Sequence, residues 1–203
     1  RTREAVFQRA HAQTARTKPA RRRLAVLSAA CAMLALVFIG GYWAYFTATS
    51  IVSIDINPSL ELGVNRFDRV VSVEGYNEDG AALAQTLDLK YLSYSEALDR
   101  ILTSDEVAGY LTDDAVMSIA VAGENQRQCG EILACTAGWQ NVHCTAGSST
   151  ELEQAHEHGL SLGKYQALLQ LQSLDPEITA EDIENMSMQE IRDWIAALMN
   201  DGQ

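Results

Sequence analysis

The stretch "SIVSIDINPSLELGVNRF", Ser50 to Phe67, decides the fold, because apolar and polar residues alternate along it on both sides of a single interruption. A period of two is typical of β-strands that bury one face. The sequence therefore predicts two consecutive strands, each with one apolar face. The residues predicted on those faces are Val52, Ile54 and Ile56 before the interruption and Leu60, Leu62 and Val64 after it.

The interruption is the dipeptide Asn57-Pro58. Proline has no backbone N–H to donate to a neighbouring strand, so we expect Pro58 at a sheet edge, a bulge or a strand end. Taken alone, the dipeptide predicts a simple turn between the two strands.

The charge is distributed unevenly along the chain, whose net charge is −12. Residues 1–23 contain eight Lys and Arg and one acidic residue, whereas residues 47–203 contain 26 Asp and Glu. The stretch from Leu24 to Phe46 carries no charge. At about 1.5 Å per residue, a helix of this length crosses a hydrocarbon core of about 30 Å. The sequence therefore predicts one transmembrane helix.

The flanking residues predict its orientation. Arg21, Arg22 and Arg23 precede the uncharged stretch, which by the positive-inside rule leaves the amino terminus in the cytoplasm and the acidic remainder outside. Tyr42 and Trp43 lie near its far end, as in an interfacial aromatic belt. A cleaved signal peptide is the alternative, but its apolar region usually has only about 7–15 residues. Since membrane topology explains the basic residues, we predict no direct nucleic-acid binding.

The remaining strands follow from short apolar and β-branched segments. "RVVSVEGYN" predicts a third strand, ended by a turn at residues 77–80, "NEDG". "AVMSIAV", residues 115–121, predicts a central strand, and "NVHCTAG", near residue 144, predicts another strand. The outline is an α+β domain with a small sheet of about five strands.

Helices are predicted between and after these strands. "AALAQTL" from Ala81 and "EILACTAGWQ" fit helices, and Ser93 with Glu96 forms a capping box before "ALDRIL". From Ser148 onward, helix-capping signals recur at short spacing, which predicts a helical carboxyl-terminal extension. The predicted caps and the predicted helix-ending glycine are Thr150, Gly159, Thr179 and Ser187.

Four cysteines and two nearby histidines give only weak evidence for a disulfide or a metal site. Cys129, Cys135 and Cys144 lie outside the predicted membrane helix, an odd number that allows one disulfide and one free thiol. The chain has no C-x-x-C motif, so zinc ribbons and thioredoxin-like chemistry lack support. His156 and His158 are two residues apart on a predicted helix and point to different faces. We predict no metal site and no cofactor.

Two segments together identify a family. "SIDINPSLELGVNRFDRVVSVEGYNEDG" resembles the extracytoplasmic start of the anti-sigma-I factors, the RsgI-like family, and "GLSLGKYQALLQLQSLDPEITAEDIENMSMQEIRDW" resembles the helical tail of its clostridial-type members. The resemblance covers most of residues 20–198, and its most specific element is the "DINPS" block.

The resemblance implies a single-pass anti-sigma factor with a SEA-like outer domain that cleaves itself at Asn57-Pro58. It further implies an alternative sigma factor as cytoplasmic partner. Extraction of the cut strand would leave a short stub on the transmembrane helix, which predicts an intramembrane protease as a further partner, and we predict no enzymatic activity apart from self-cleavage. In the family the sigma-binding domain precedes the basic segment, so no sigma-binding residue is assigned here. The predicted domains are residues 1–23 (cytoplasmic), 24–46 (transmembrane), 47–147 (self-cleaving) and 148–203 (helical).

The chemistry of Asn-Pro agrees with this implication. The Asn57 side-chain nitrogen can attack its own main-chain carbonyl, closing a succinimide and releasing the amine of Pro58. The competing deamidation requires a backbone N–H on the following residue, which proline lacks. Strict alternation predicts Asp55 on the same face as Asn57, where its carboxylate could accept the proton. Ser59 is a rival nucleophile, but it follows Pro58 and is misplaced for this bond.

Two other classes of function were weighed against this one. In the first, the outer domain is a receptor for wall or extracellular polysaccharide and Asn-Pro is merely a turn. In the second, the chain is an anchored extracellular hydrolase, which lacks a convincing Ser-His-Asp set or carboxylate pair. The leading hypothesis is the self-cleaving anti-sigma factor, a signalling protein that transmits an envelope signal to transcription.

Overall fold

A computed structural model describes residues 18–108, 110, 117–136 and 142–201. The predicted basic segment before residue 18, the first two residues of the predicted strand 115–121, and the end of "EILACTAGWQ" lie outside these ranges. The chain divides into two compact units, one ending at Ala44 and one beginning at Tyr45.

The first unit consists of most of helix α1, Lys18–Phe46. Within it, the 23 residues Leu24–Phe46 are long and apolar enough to cross a membrane, and α1 is the one such helix in the described part of the chain. The side chains of this stretch are largely exposed, as expected of a helix whose apolar surface faces lipid. The helix therefore fits a single-pass membrane anchor.

The second unit is an α+β domain, which confirms the predicted fold class of about five strands with packed helices. Its strands are β1 (Ala48–Asp55), β2 (Ser59–Asn65), β3 (Val70–Gly75), β4 (Met117–Gly123) and β5 (Val142–Ala146). Its helices are α2 (Glu78–Thr86), α3 (Tyr94–Leu102), α4 (Asp105–Ala108), α5 (Gln126–Thr136), α6 (Ser149–Glu157), α7 (Leu162–Leu174), α8 (Ala180–Ile183) and α9 (Met188–Asp201).

The five strands form one mixed sheet in the order β3-β2-β1-β4-β5. The three successive strands β1, β2 and β3, each predicted from the sequence, form an antiparallel meander. Strand β1 is also antiparallel to β4, whereas β4 and β5 are parallel. The strand that follows helix α1 in the chain is therefore the central strand of the sheet, paired with a neighbour on both sides.

One face of the sheet carries the main apolar core. The alternation around Asn57-Pro58 is confirmed, because every residue predicted on the apolar faces is buried in this core. Helices α2, α3 and α5 cover the face with apolar side chains, which stabilises the packing by about 1.5–3 kcal/mol for each large side chain buried. The principal contributors from these helices are Leu83, Leu98, Ile101 and Ile132.

The opposite face of the sheet is polar, and the carboxyl-terminal helices cover it. Ser53, Asp55 and Glu61 are buried there, and helix α7 packs against β1 and β4. Leu162 of α7 contacts the small side chains of β4 on this face. Both faces of the central strands are therefore covered, so β1 and β2 are buried almost throughout.

Two helix starts differ from the sequence prediction. Residues 77–80, predicted as a turn, contain the cap and first turn of α2, because the Asn77 side chain accepts a hydrogen bond from Gly80 N–H. Helix α6 is capped by Ser148 with Glu151, one capping box earlier than the predicted Thr150 with Glu153. Both errors have one cause, since several polar residues in a row can each serve as an N-cap.

The other capping predictions are confirmed. Capping boxes are present at Ser93 with Glu96 and at Ser187 with Glu190. Thr179 precedes α8, and Gly159 adopts a left-handed conformation with φ of 69°. The sequence allows one disulfide, and in the described chain all four cysteine thiols are free.

A glycine in α7 makes the close packing on the polar face testable. A Cβ atom at Gly163 would lie 2.3 Å from Asp55 Oδ2, so we expect Gly163→Ala to destabilise the domain by about 1–3 kcal/mol. Gly130, in α5, is the matched control because a Cβ there meets nothing within 4 Å. We expect Gly130→Ala to stabilise the domain by about 0.5–1 kcal/mol. Denaturant unfolding of the purified variants measures both; equal effects would contradict this packing.

Candidate functional site

The β1–β2 connection places Asn57 alone at the tip of a tight hairpin. Asp55 and Ser59 form the last strand pair, and Ile56 N–H donates to the Pro58 carbonyl at 3.1 Å. One residue therefore reverses the chain, and Asn57 has a φ of 132°. Such a conformation costs a residue with a side chain about 1–3 kcal/mol. The predicted turn is present, and it is strained at the residue before the proline.

The side chain of Asn77 makes hydrogen bonds to this hairpin tip. Its Nδ2 donates to Asn57 Oδ1 at 2.8 Å, and its Oδ1 accepts hydrogen bonds from Ser59 N–H at 3.0 Å and from Gly80 N–H at 2.7 Å. The same side chain thus caps α2 and contacts residues on both sides of the Asn57–Pro58 bond. Pro58 itself is buried.

Both polar groups of the Ser59 backbone, its N–H and its carbonyl, make hydrogen bonds. Its carbonyl accepts a hydrogen bond from Tyr76 N–H at 2.9 Å, in addition to the contact of its N–H with Asn77. Gly80 packs directly on this carbonyl, since a Cβ at that position would lie 1.9 Å from the oxygen. The corner between β3 and α2 therefore determines where the residue after Pro58 lies.

Asp55 is fully buried on the polar face of the sheet. Its carboxylate accepts hydrogen bonds from Ser53 Oγ at 3.0 Å and from Ser161 Oγ at 2.6 Å. Burial raises the pKa of the Asp55 carboxyl, although the neighbouring hydroxyls and the Lys164 ammonium act in the opposite direction. Ser161 is the N-cap of α7, so this carboxyl joins β1 to the carboxyl-terminal helices.

A second buried carboxyl lies next to it on β2. Glu61 Oε1 accepts a hydrogen bond from Leu162 N–H at 3.0 Å, and Oε2 lies 2.9 Å from His156 Nε2. Burial raises the pKa of Glu61, and the hydrogen bonds from Leu162 and His156 oppose that effect. Helices α6 and α7 are thus attached to the polar face through two carboxyl groups.

The predicted site residues lie in two neighbouring environments. Asn57 and Pro58 occupy the hairpin tip, whereas the hydrogen bonds of the Asp55 carboxylate lead to Ser53 and Ser161. No hydrogen bond between described residues joins Asp55 to Asn57. The Ser59 hydroxyl is buried beside the Asp55 carboxyl, whose pKa it lowers, but its geometry falls short of a regular hydrogen bond. The proton-accepting role of Asp55 stays a prediction.

Sequence reasoning missed Asn77. It lies within the quoted "NEDG", which the composition alone marks as a turn. A signal was present, since Asn followed by the acidic Glu78 and Asp79 is typical of a helix start. Its contact with Asn57, 20 residues away, has no counterpart in any local pattern. Elsewhere, the described residues contain no group of three or more His, Cys, Asp or Glu placed to hold a metal ion.

Comparison with known proteins identifies the class. Residues 49–170, which include the hairpin tip, β1 to β5 and most of α7, match the family described as "Anti-sigma factor RsgI-like central domain". The match covers more than half of the chain, so the chain belongs to this family of anti-sigma factors, and the predicted resemblance is confirmed.

Individual relatives come from Acetivibrio thermocellus. The chain is 28% identical to anti-sigma-I factor RsgI7 over 191 residues, which covers 84% of this chain and 34% of that protein. It is 25% identical to anti-sigma-I factor RsgI6 over 197 residues, covering 84% of this chain and 26% of that protein. The chain therefore spans about a third or less of the length of these curated relatives.

The buried carboxyl groups give the domain a characteristic pH dependence. A carboxyl whose pKa is raised by folding favours the folded state while protonated, so its contribution is complete below the unfolded pKa of about 4 and is lost as the pH rises through the folded value. We therefore expect Asp55→Asn to raise the melting temperature at pH 8 relative to the parent chain. The difference should shrink as the pH falls towards 4.

The control for this measurement is Asp99→Asn, which removes one negative charge from an exposed position of α3. Melting curves of both variants and the parent between pH 4.5 and 8 are compared, a range set by the usual carboxyl pKa of about 4. A lower melting temperature of Asp55→Asn across the whole range would show that the fold needs this group as an anion.

Proposed function

We propose that this chain is the membrane-anchored and extracytoplasmic part of an anti-sigma factor that cleaves its own backbone between Asn57 and Pro58. The observation that carries the proposal is the position of Asn57, alone at the hairpin tip with φ of 132° and followed by a proline. Family membership supplies the anti-sigma context.

The proposed reaction needs no cofactor or external reagent. Asn57 Nδ2 forms a bond to the Asn57 main-chain carbonyl carbon, and the bond from that carbon to Pro58 N breaks. A proton passes from Nδ2 to the departing proline nitrogen, which leaves as a secondary amine. The amino-terminal fragment then ends in a succinimide, which water can open later. Pro58 suppresses the competing deamidation because it has no backbone N–H.

The hairpin can accelerate this reaction in two ways. A fixed side chain near its own carbonyl avoids the loss of rotational freedom that slows the reaction in a flexible peptide. The strain at Asn57, about 1–3 kcal/mol, is released when the bond opens, and each 1.36 kcal/mol removed from a barrier is about tenfold in rate. The two effects together favour cleavage at this bond over other asparaginyl bonds of the chain.

The two fragments are expected to remain associated. Strand β1 belongs to the amino-terminal fragment, whereas β2 and β4, its neighbours on both sides, belong to the carboxyl-terminal fragment. Each ladder hydrogen bond contributes about 1 kcal/mol net, and the buried Val52 and Ile54 each add about 1.5–3 kcal/mol. Cleavage would therefore prepare the domain for separation without causing it.

The proposed signal is the extraction of β1 from this sheet. Once β1 leaves, the membrane helix α1 carries only a short outer segment, a form suited to an intramembrane protease. The arginines at residues 21–23 favour a cytoplasmic amino terminus. We propose that the part of the protein on that side binds an alternative sigma factor, as the name of the relatives indicates for them, and releases it after the second cleavage.

Substitution of the reacting residue tests the proposal. In the purified full chain we expect two fragments on a denaturing gel, one of them beginning at Pro58, and we expect Asn57→Ala to give intact chain only. The two fragment masses should add up to the mass of the intact chain, or to that mass plus one water after the succinimide opens. Persistence of the intact parent chain after long incubation would contradict self-cleavage and favour a binding module.

Two further variants test whether the neighbouring residues Ser59 and Asp55 take part in the cleavage. We expect Ser59→Ala to cleave as the parent does, because the Ser59 hydroxyl follows the scissile bond. Asp55→Asn tests the predicted proton transfer: the absence of a hydrogen bond to Asn57 leads us to expect a change of less than about tenfold in rate, or about 1.4 kcal/mol. A greater loss in a folded variant would assign Asp55 to the reaction.

A further inference from the structure

The hydrogen bonds around Asn77 determine which end of each side-chain amide is oxygen. The atom of Asn77 that faces Ser59 and Gly80 receives two backbone N–H groups, at 3.0 and 2.7 Å. An amide NH2 cannot accept a hydrogen bond, so this atom must be Oδ1. The NH2 group of Asn77 therefore faces Asn57 and needs an acceptor there.

The same logic fixes the side chain of Asn57. The atom 2.8 Å from Asn77 Nδ2 must be an acceptor, so it is Asn57 Oδ1, and Asn57 Nδ2 is turned away from Asn77. Asn57 Nδ2 makes no hydrogen bond with any residue in the described part of the chain. The nitrogen that must attack is therefore unoccupied, while the oxygen of the same amide is held.

We propose that Asn77 is a positioning residue for self-cleavage at Asn57–Pro58, an inference that rests on the proposed function. Asn77 reaches across the scissile bond, with Nδ2 on the Asn57 side chain and Oδ1 on the Ser59 backbone. It is itself held in place as the N-cap of α2, through Gly80 N–H. A rigid helix start thus sets the distance and direction between the attacking amide and the leaving proline.

The contact also favours the chemical step. As Asn57 Nδ2 bonds to the main-chain carbonyl carbon, negative charge passes to the main-chain carbonyl oxygen. This charge comes from the amidate that forms when Nδ2 gives up its proton, in which it is shared with Asn57 Oδ1. The Asn77 N–H donor lies at that oxygen before the reaction begins, so the developing charge is stabilised without reorganisation. Removal of one such donor typically slows a reaction by about 10²–10³-fold.

The variant Asn77→Asp isolates this donor. A carboxylate has the same shape, is an equally good N-cap, and still accepts the N–H groups of Ser59 and Gly80. It cannot donate to Asn57, so it draws the Asn57 NH2 group towards itself and occupies the attacking nitrogen. We expect cleavage at pH 7 to be about 10²-fold slower than in the parent, with an unchanged circular dichroism spectrum.

The pH dependence of this variant distinguishes positioning from a merely structural role. Protonation of the introduced carboxyl restores a donor for Asn57 Oδ1, and it requires a pH below the usual carboxyl pKa of about 4 because the group accepts two backbone N–H groups. We expect the rate of Asn77→Asp to recover towards the parent rate measured at the same pH. Asn77→Ser keeps a capping hydroxyl that is too short to reach Asn57, so it should stay slow at every pH.

The matched control is Asn65→Asp at the far end of β2. Asn65 has the same bonding pattern, since its Oδ1 accepts the N–H groups of Phe67 and Arg69 and its Nδ2 donates to the Tyr45 carbonyl. The substitution therefore removes an equivalent donor away from the hairpin tip. We expect this variant to cleave at the parent rate.

Each full-length variant is diluted from denaturant into detergent solution, and the intact fraction is followed on denaturing gels and by mass spectrometry. An intact parent chain would overturn the proposed function. A cleaving parent with an equally fast, folded Asn77→Asp would overturn only the role of Asn77. A slow Asn77→Asp that does not recover at low pH would also overturn it, because the defect would then be structural.

Discussion

The pairing of β1 with two neighbours is the constraint on which the rest of the structure depends. This strand directly follows helix α1 in the chain, yet it lies in the middle of the sheet, between β2 and β4. The sheet is therefore complete only with the strand that links the domain to its anchor. Any force or ligand that removes β1 would open the apolar core on one face and the polar contacts on the other.

The polar face strengthens the hold on the last residues of β1. The Asp55 carboxylate bonds to Ser161 at the start of α7, and the Ile56 carbonyl accepts a hydrogen bond from Met188 N–H of α9 at 3.4 Å. The carboxyl-terminal helices thus contact the strand end that self-cleavage would free. Because burial raises the pKa of Asp55, ionisation of this carboxyl as the pH rises lowers the stability of the folded domain, although the hydrogen bond from Ser161 opposes the effect. The helices that stabilise the cut strand would also set its sensitivity to pH.

Much of the fold was predictable because it follows from local patterns. The alternation on both sides of Asn57-Pro58 predicted the β1–β2 hairpin and its buried face, and the capping boxes at Ser93 and Ser187 predicted two helix starts. The polar face was not predictable, since its contacts join residues such as Asp55 and Ser161, 106 positions apart. Asp55 was expected beside Asn57 by alternation, which ceases to apply where a single residue reverses the chain.

The proposed switch has two opposing requirements, strain at the scissile bond and retention of the cut strand. Two different parts of the β1–β2 hairpin meet them. Self-cleavage requires a local conformation of high energy, and the positive φ of Asn57 supplies it over a single residue. A useful switch requires that the cut strand stay in place, and the burial of β1 on both faces supplies this over its length. The proposed opening of the bond would release strain at the tip and leave the ladders with β2 and β4 intact. In the proposed mechanism, the free energy needed to separate the two fragments would therefore be set by the sheet and the helices that cover it, independently of the chemistry at Asn57.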